Sequence, residues 1–190
     1  MDINLELAKN ERMETPRLIL RKIELSDAKD LFEYMNDEKV AAMSGMKSKE
    51  NILSVEKSIA HWFIPERLII WGLEDKESHR IIGQIELHID GGQAELGWML
   101  NASFWGLGLM PEACQHLIRF AFKNLKLQVL TAKCNFENHN SIRVMEKCGM
   151  KKYGQVFDTI SGELVLSEYY ALKQDEMKIS QNKREDFSEQ

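Results

Sequence analysis

Cysteines, prolines and long apolar runs are all scarce in this sequence, and each scarcity excludes something. The three cysteines, Cys114, Cys134 and Cys148, are odd in number, widely spaced and never form CxxC. That pattern argues against a disulfide framework and reads as reduced core thiols. No apolar stretch approaches the roughly 18–20 residues of a membrane span. The opening MDINLELAKNER lacks both a basic start and an apolar stretch, so it does not read as a signal peptide. These features predict a cytoplasmic protein with no membrane contact. Positive charge is not in excess either: 25 Lys and Arg stand against 30 Asp and Glu, a formal net charge of -5. A phosphate-gripping nucleic-acid binder normally shows a basic face, so nucleic acid is not an expected partner. Mild acidity suits a cationic amine instead. The five histidines, His61, His79, His88, His116 and His139, have no metal-ligand spacing with cysteines or carboxylates, and no metal site is expected.

At 190 residues the chain fits one domain, with 44% hydrophobic and 29% charged residues as in ordinary globular proteins. Its three prolines punctuate the pattern. Pro16 precedes a first strand, Arg17 to Ile23, and Pro65 stops a helix over Glu50 to Phe63 whose stripe is Ile52, Val55, Ile59 and Trp62 or Phe63. Pro111 suits the first position of a helix running to Lys123. Ser26 is the expected N-cap of another helix through Met35, and Met35 to Lys49 reads as a loop or short turn. Period two takes over at Leu68 to Leu73 and Arg80 to Ile89, and Asp90-Gly91-Gly92-Gln93 is a hairpin signal leading into Ala94 to Leu100. A strand over Gln128 to Cys134, a helix from Asn140 or Ser141 to Cys148 closed by Gly149, and two strands around Gly162 complete the order. The arrangement is α+β (mixed α/β), with a domain over 14–173, an N-terminal extension over 1–13 and a charged, disordered tail over 174–190.

The stretch from Glu95 to Glu112 is strand, loop with two spaced glycines, then helix N-terminus. Gly106 and Gly108 let successive N–H groups converge, and the start of the following helix favours an anion. The dinucleotide fingerprint fails because Pro111 stands at its third glycine, and no GK[ST] follows for a P-loop. Taken alone, the two glycines also fit a plain strand-to-helix turn.

The match of Glu95, Gly97, Trp98, Trp105, Gly106, Gly108, Glu112 and Ala113 resembles the acetyl-CoA motif of the GNAT N-acetyltransferases, in particular the RimJ/RimL-like branch. Glu14-Thr15-Pro16-Arg17-Leu18-Ile19-Leu20-Arg21 resembles that branch's opening, and Asn138-x-x-Ser141-Ile142-Arg143-Val144-Met145-Glu146-Lys147-Cys148-Gly149-Met150 resembles its later motif. The resemblance spans about Glu14 to Lys173. It implies a GNAT-like fold whose central, mostly antiparallel sheet contains two splayed parallel strands. It implies acetyl-CoA as co-substrate, pantetheine beside Trp98, Met99 and Leu100, and pyrophosphate on the amides of Gly106, Leu107, Gly108, Leu109 and Met110. Leu107 stands where a basic residue is often found, which leaves a cradle made of backbone alone. Trp105 is expected to pack under the loop.

The implied reaction is attack of a neutral amine on the thioester. Near pH 7 an α-amine of pKa ~8 needs about 1.4 kcal/mol to lose its proton, and a lysine of pKa ~10.4 needs about 4.6. A base therefore helps, and Glu95, in an apolar segment, is the candidate. The Tyr that many family members carry four residues beyond Ser141 is Met145 here, which leaves Ser141 as the candidate acid, with Tyr153 and Tyr169 as other possible donors. Asn138 is expected on the pantetheine arm, although Ser141 as N-cap and Asn138 as loop cap are structural roles of equal standing. The Met35 to Lys49 loop and the Phe157 to Gly162 turn would line the acceptor. That acceptor is either a protein N-terminal α-amine or a small-molecule amine, and the protein a monomer or homodimer. A catalytically silent CoA-binding module on the same fold is the alternative.

Overall fold

In the computed structural model, residues 1–160 and 162–177 are described. Eight strands form one sheet: β1 (Met13–Glu14), β2 (Leu18–Arg21), β3 (Ile70–Asp75), β4 (Ile81–Asp90), β5 (Gln93–Leu100), β6 (Val129–Asn135), β7 (Lys151–Ile160) and β8 (Glu163–Lys173). Their spatial order is β1-β2-β3-β4-β5-β6-β8-β7. Every neighbouring pair is antiparallel except β5 and β6, which are parallel. That one parallel pair requires a crossover, supplied by helix α5 (Leu109–Lys123).

Both faces of the sheet are covered because its strands alternate two apolar sets. On one face Leu18, Leu20, Trp71, Leu73, Ile85, Leu87 and Leu96 pack with Ala113, Leu117 and Ala121 of α5. On the other, Ile70 and Ile81 pack with Leu31 and Tyr34 of α2 (Ala28–Met35) and Val55 of α4 (Ile52–Ser58). Each buried leucine or isoleucine contributes about 1.5–3 kcal/mol relative to exposure. The Asp90–Gln93 hairpin forms as expected, with Gly91 at φ 58°.

Several local expectations are corrected. Glu24 caps a short 3-10 turn at Leu25–Asp27 ahead of α2, so Ser26 is not the cap. Asp27 instead holds Arg21 through two bonds of 2.8 and 2.9 Å. The Met35 to Lys49 loop contains a helix, α3 (Glu38–Ser44), capped by Asp37 and ended by Gly45 in the left-handed region. Helix α4 continues into a π-helical turn, Ile59–Phe63, and Ile52 of the predicted stripe is exposed. α5 starts two residues before Pro111. α6 (His139–Lys147) is capped by Asn138, not by Ser141, which is its third residue.

The N-terminal extension forms α1 (Ile3–Lys9), whose Leu7 is buried in the main core. At the other end, residues 174–177 are helical, and Gln174 donates to the Gln128 and Phe122 carbonyls. The predicted disorder of the tail does not extend to these four residues, and the remainder of the tail lies outside the described residues. No helix among the described residues is long and apolar enough to cross a membrane.

Candidate active site

The parallel strands β5 and β6 pair only where Gln93, Ala94 and Glu95 meet Val129, Leu130 and Thr131. Beyond Glu95 the ladder ends, and a cleft of about 800 Å³ opens between Leu96–Leu100 and Lys133–Asn135. A sheet interrupted in this way leaves strand-edge peptide groups facing the gap, ready to bond an extended amide-bearing ligand.

At one end of the cleft lie Gly106, Gly108, Leu109, Met110 and Pro111. Gly106 and Gly108 have φ of 79° and 77°, values that side-chain-bearing residues rarely adopt. Gly108 is the N-cap of α5 and offers no side chain to its amides. The N–H groups of Leu109 and Met110, ahead of Pro111 (which has none), thus keep their capacity for an anion. Arg143 and Lys147 of α6 line the same cleft. From the far end of the chain Arg17 reaches the loop as well, its Nη1 donating to the Leu107 carbonyl at 2.9 Å. Its Nε donates to Glu112 Oε2 at 2.7 Å, while Glu112 Oε1 accepts from the Thr15 hydroxyl (2.6 Å) and the Arg17 amide (2.9 Å). Burial alone would raise the Glu112 carboxyl, but the Thr15 and Arg17 donors outweigh it and hold the group below the usual carboxylate range. The Arg17 guanidinium is engaged by Glu112 and the Leu107 carbonyl, so what the loop itself offers an anion is backbone N–H, with Arg143 and Lys147 lining the same cleft.

The opposite end is lined by Val40, Met43 and Met46 with the carboxylates of Glu86, Glu95 and Asp158. Lys133 bridges two of these, 3.3 Å from Glu95 and 2.8 Å from Asp158. Desolvation pulls the Lys133 ammonium down, yet its bonds to Asp158 and Glu95 leave it raised overall. Glu86 stands across from Gly97 in the β4–β5 ladder. A chain of bonds runs along this face: Tyr34 OH to Gln84 Oε1 (3.0 Å), Gln84 Nε2 to Glu86 Oε1 (2.9 Å), and Glu86 Oε2 to His88 Nε2 (2.8 Å). Desolvation raises the buried Tyr34 phenol, and the bond to Glu86 raises the His88 imidazole.

The cleft gathers nearly all the residues singled out in the sequence: Glu95, Trp98, Met99, Leu100, Gly106, Gly108, Leu109, Met110, Asn138 and Ser141 line it. Leu107 does not; its side chain is exposed and only its carbonyl is engaged, by Arg17. Glu95 is 42% exposed and ion-paired with Lys133, so its surroundings are not the apolar ones expected. Asn138 is buried, accepting from the Ser141 amide and donating to the Met43 carbonyl at 2.9 Å, which ties α6 to α3. No hydrogen bond among the described residues engages the Ser141 hydroxyl. Met145 is fully buried, and neither Tyr153 nor Tyr169 lines the cleft. Trp105 packs against the core and donates to the Leu100 carbonyl at 2.8 Å. Residues of α3 and Asp158 line the cleft, whereas Met35 is buried in the core.

Sequence reasoning missed three features: the Glu86 network, the Arg17–Glu112 link, and Ser167. The last is 1% exposed, lines the cleft and has a hydroxyl without a hydrogen-bond partner. A buried hydroxyl in a cleft wall without a protein partner keeps a hydrogen bond to offer a ligand. Together with the open space over Gly106 and the uncapped α5 amides, it fits a molecule carrying both amides and phosphates. Among the described residues no group of His, Cys, Asp and Glu is arranged to hold a metal ion.

Comparison with known proteins agrees with this geometry. The model of the acetyltransferase (GNAT) domain matches residues 17–151. The uncharacterized N-acetyltransferase YoaA of Bacillus subtilis is 29% identical over 75% of this chain and 84% of its own length. A GNAT-family acetyltransferase from Bacillus anthracis superposes with a TM-score of 0.77 at 26% identity, covering 86% of this chain and 99% of that one. The ribosomal-protein-S5-alanine acetyltransferase of Vibrio fischeri shares the fold at a TM-score of 0.70 and 21% identity, over 86% of this chain and 97% of that one.

Proposed function

The chain belongs to the GNAT acetyltransferase family and is an acetyl-CoA-dependent N-acetyltransferase, and from that premise we propose that its acceptor is a primary amine that enters the acidic end of the cleft as a cation. The observation that carries this reading is the division of charge along one cleft. Glu95 and Asp158, both paired with Lys133, and Glu86 line one end, while Arg143, Lys147 and the α5 amides line the other. Acetyl-CoA supplies an acetyl thioester, with its anionic phosphates fitting the cationic end.

In this reading the carboxylates draw the ammonium in, and Glu95, at the point where β5 and β6 part, accepts its proton. Lys133 holds the Glu95 carboxylate at the mouth of the gap. The Ser141 hydroxyl, on the first turn of α6 and free of protein partners among the described residues, supplies a proton to the departing thiolate. Val40, Met43 and Met46 offer an adaptable apolar wall for whatever adjoins the amine. An α-amine suits the site better than a lysine, because about 3 kcal/mol less is needed to deprotonate it at neutral pH. Both a peptide N-terminus and a small amine satisfy that chemistry.

The test is release of free CoA from acetyl-CoA over a panel of small amines and of peptides with free and blocked N-termini. Turnover of free but not blocked amines, lost in Glu95→Gln, supports the proposal. Tight binding of acetyl-CoA without turnover of any amine would instead identify a silent CoA-binding module.

A further inference from the structure

Arg17 joins Glu112, 95 positions away in sequence, through two bonds, and a third bond from its guanidinium serves no obvious packing need. Arg17 Nη1 donates to the Leu107 carbonyl between two left-handed glycines. The Leu107 carbonyl and the Gly108 N–H belong to one trans peptide plane, so they point to opposite sides. Gly108 at one end of that plane has no side chain to fix its φ, so the plane is free to take either orientation unless something outside the loop holds it. The carbonyl is held on the outer side by Arg17, and Leu107 itself stands clear of the cleft.

We infer that Arg17 is a positioning residue for the pyrophosphate of the donor: by fixing the Leu107–Gly108 peptide it keeps the Gly108 N–H turned toward the cleft and its carbonyl turned away. Were the plane to rotate, a carbonyl oxygen would face the phosphates in place of a donor. Glu112 holds the guanidinium in register through Oε2, and Thr15 and the Arg17 amide lock Glu112 through Oε1. The fork geometry matters, because one ammonium cannot meet the carboxylate and the carbonyl in the same arrangement. The inference rests on the use of acetyl-CoA and is independent of the acceptor.

Binding of CoA and of pantetheine, which lacks the pyrophosphate, to the full chain separates this role from a general structural one. Arg17→Gln and Arg17→Lys should each weaken CoA about tenfold, the scale of one charge-assisted hydrogen bond, and leave pantetheine affinity unchanged. Equal weakening of both ligands, unchanged CoA affinity, or full recovery by lysine would overturn the inference. Should Arg17→Gln not fold, Glu112→Gln applies the same pair of ligands. Its amide oxygen keeps the two contacts at Oε1, while its NH2 faces the Arg17 Nε donor and displaces the fork. The expected and the overturning results are the same.

Discussion

In the proposed function the two ends of the cleft solve opposite problems with different materials. The cofactor end is built mainly from backbone: two left-handed glycines, an uncapped helix start and a carbonyl pinned from outside by Arg17. The proposed acceptor end is built from side chains: three carboxylates, one lysine and a wall that includes Met43 and Met46. Backbone can recognise a phosphate because every residue but proline carries the same N–H, so what the sequence must supply is permission to bend. Side chains are needed where an ammonium must be both attracted and deprotonated. Changes at the first end should therefore act on donor affinity, and changes at the second on the rate of transfer.

The largest effect expected is at Glu95. Glu95→Gln removes the proposed proton acceptor but keeps size and hydrogen bonding, and kcat should fall about 10²–10⁴-fold, the usual contribution of general base catalysis. CoA affinity, measured by calorimetry, should change little. A large loss of CoA affinity with kcat preserved would reverse the division between the two ends.

Next is Gly108→Ala. Alanine at φ 77° carries the left-handed strain of roughly 1–2 kcal/mol, and relief requires the loop to move. CoA should bind about 5–30-fold more weakly. Transfer at saturating acetyl-CoA should stay within a few-fold of wild type. A fall in kcat as steep as that of Glu95→Gln would mean that the loop serves chemistry directly.

Asn138 belongs to both ends, since it caps α6 and holds the Met43 carbonyl of α3. Asn138→Ala should cost about 0.5–2 kcal/mol for the lost cap, read as a lower midpoint in urea unfolding with an unchanged slope. Wild-type stability in the variant would show that the cap is replaceable by solvent.

This contrast also explains how far the sequence could be read. The hairpin at Asp90–Gln93 and the strands on either side were legible because period-two burial and turn chemistry act locally. The glycine loop was legible for the same reason. Helix α3 was not, because only Val40 of its residues is buried and no apolar stripe exists to detect; its signals were the Asp37 cap and the Gly45 stop. Asn138 and Ser141 are both good caps three residues apart, and the choice between them depends on where the chain turns after β6. Gln84, Glu86 and His88 were a readable signal, a polar stripe at period two inside an apolar strand, that was passed over. Arg17 and Glu112 carried no local sign of each other, since only the folded sheet brings them together.

The smallest effect expected is a pH dependence at His88, which is bonded to the cleft residue Glu86. That bond raises the imidazole against the opposing effect of partial burial, with Glu86, Glu95 and Glu66 adding further negative field. A folded-state value above the unfolded one means that folding binds the proton more tightly. The stabilisation is then complete below the unfolded value of about 6.5 and is lost as pH rises through the higher folded value. His88→Asn removes it, so the difference in Tm between wild type and variant should be greatest near pH ~6 and shrink as the imidazole deprotonates. Because the His88 side chain is 48% exposed, solvent screens the pair and the difference should stay small. A Tm difference that widens toward alkaline pH would contradict the pairing of His88 with Glu86.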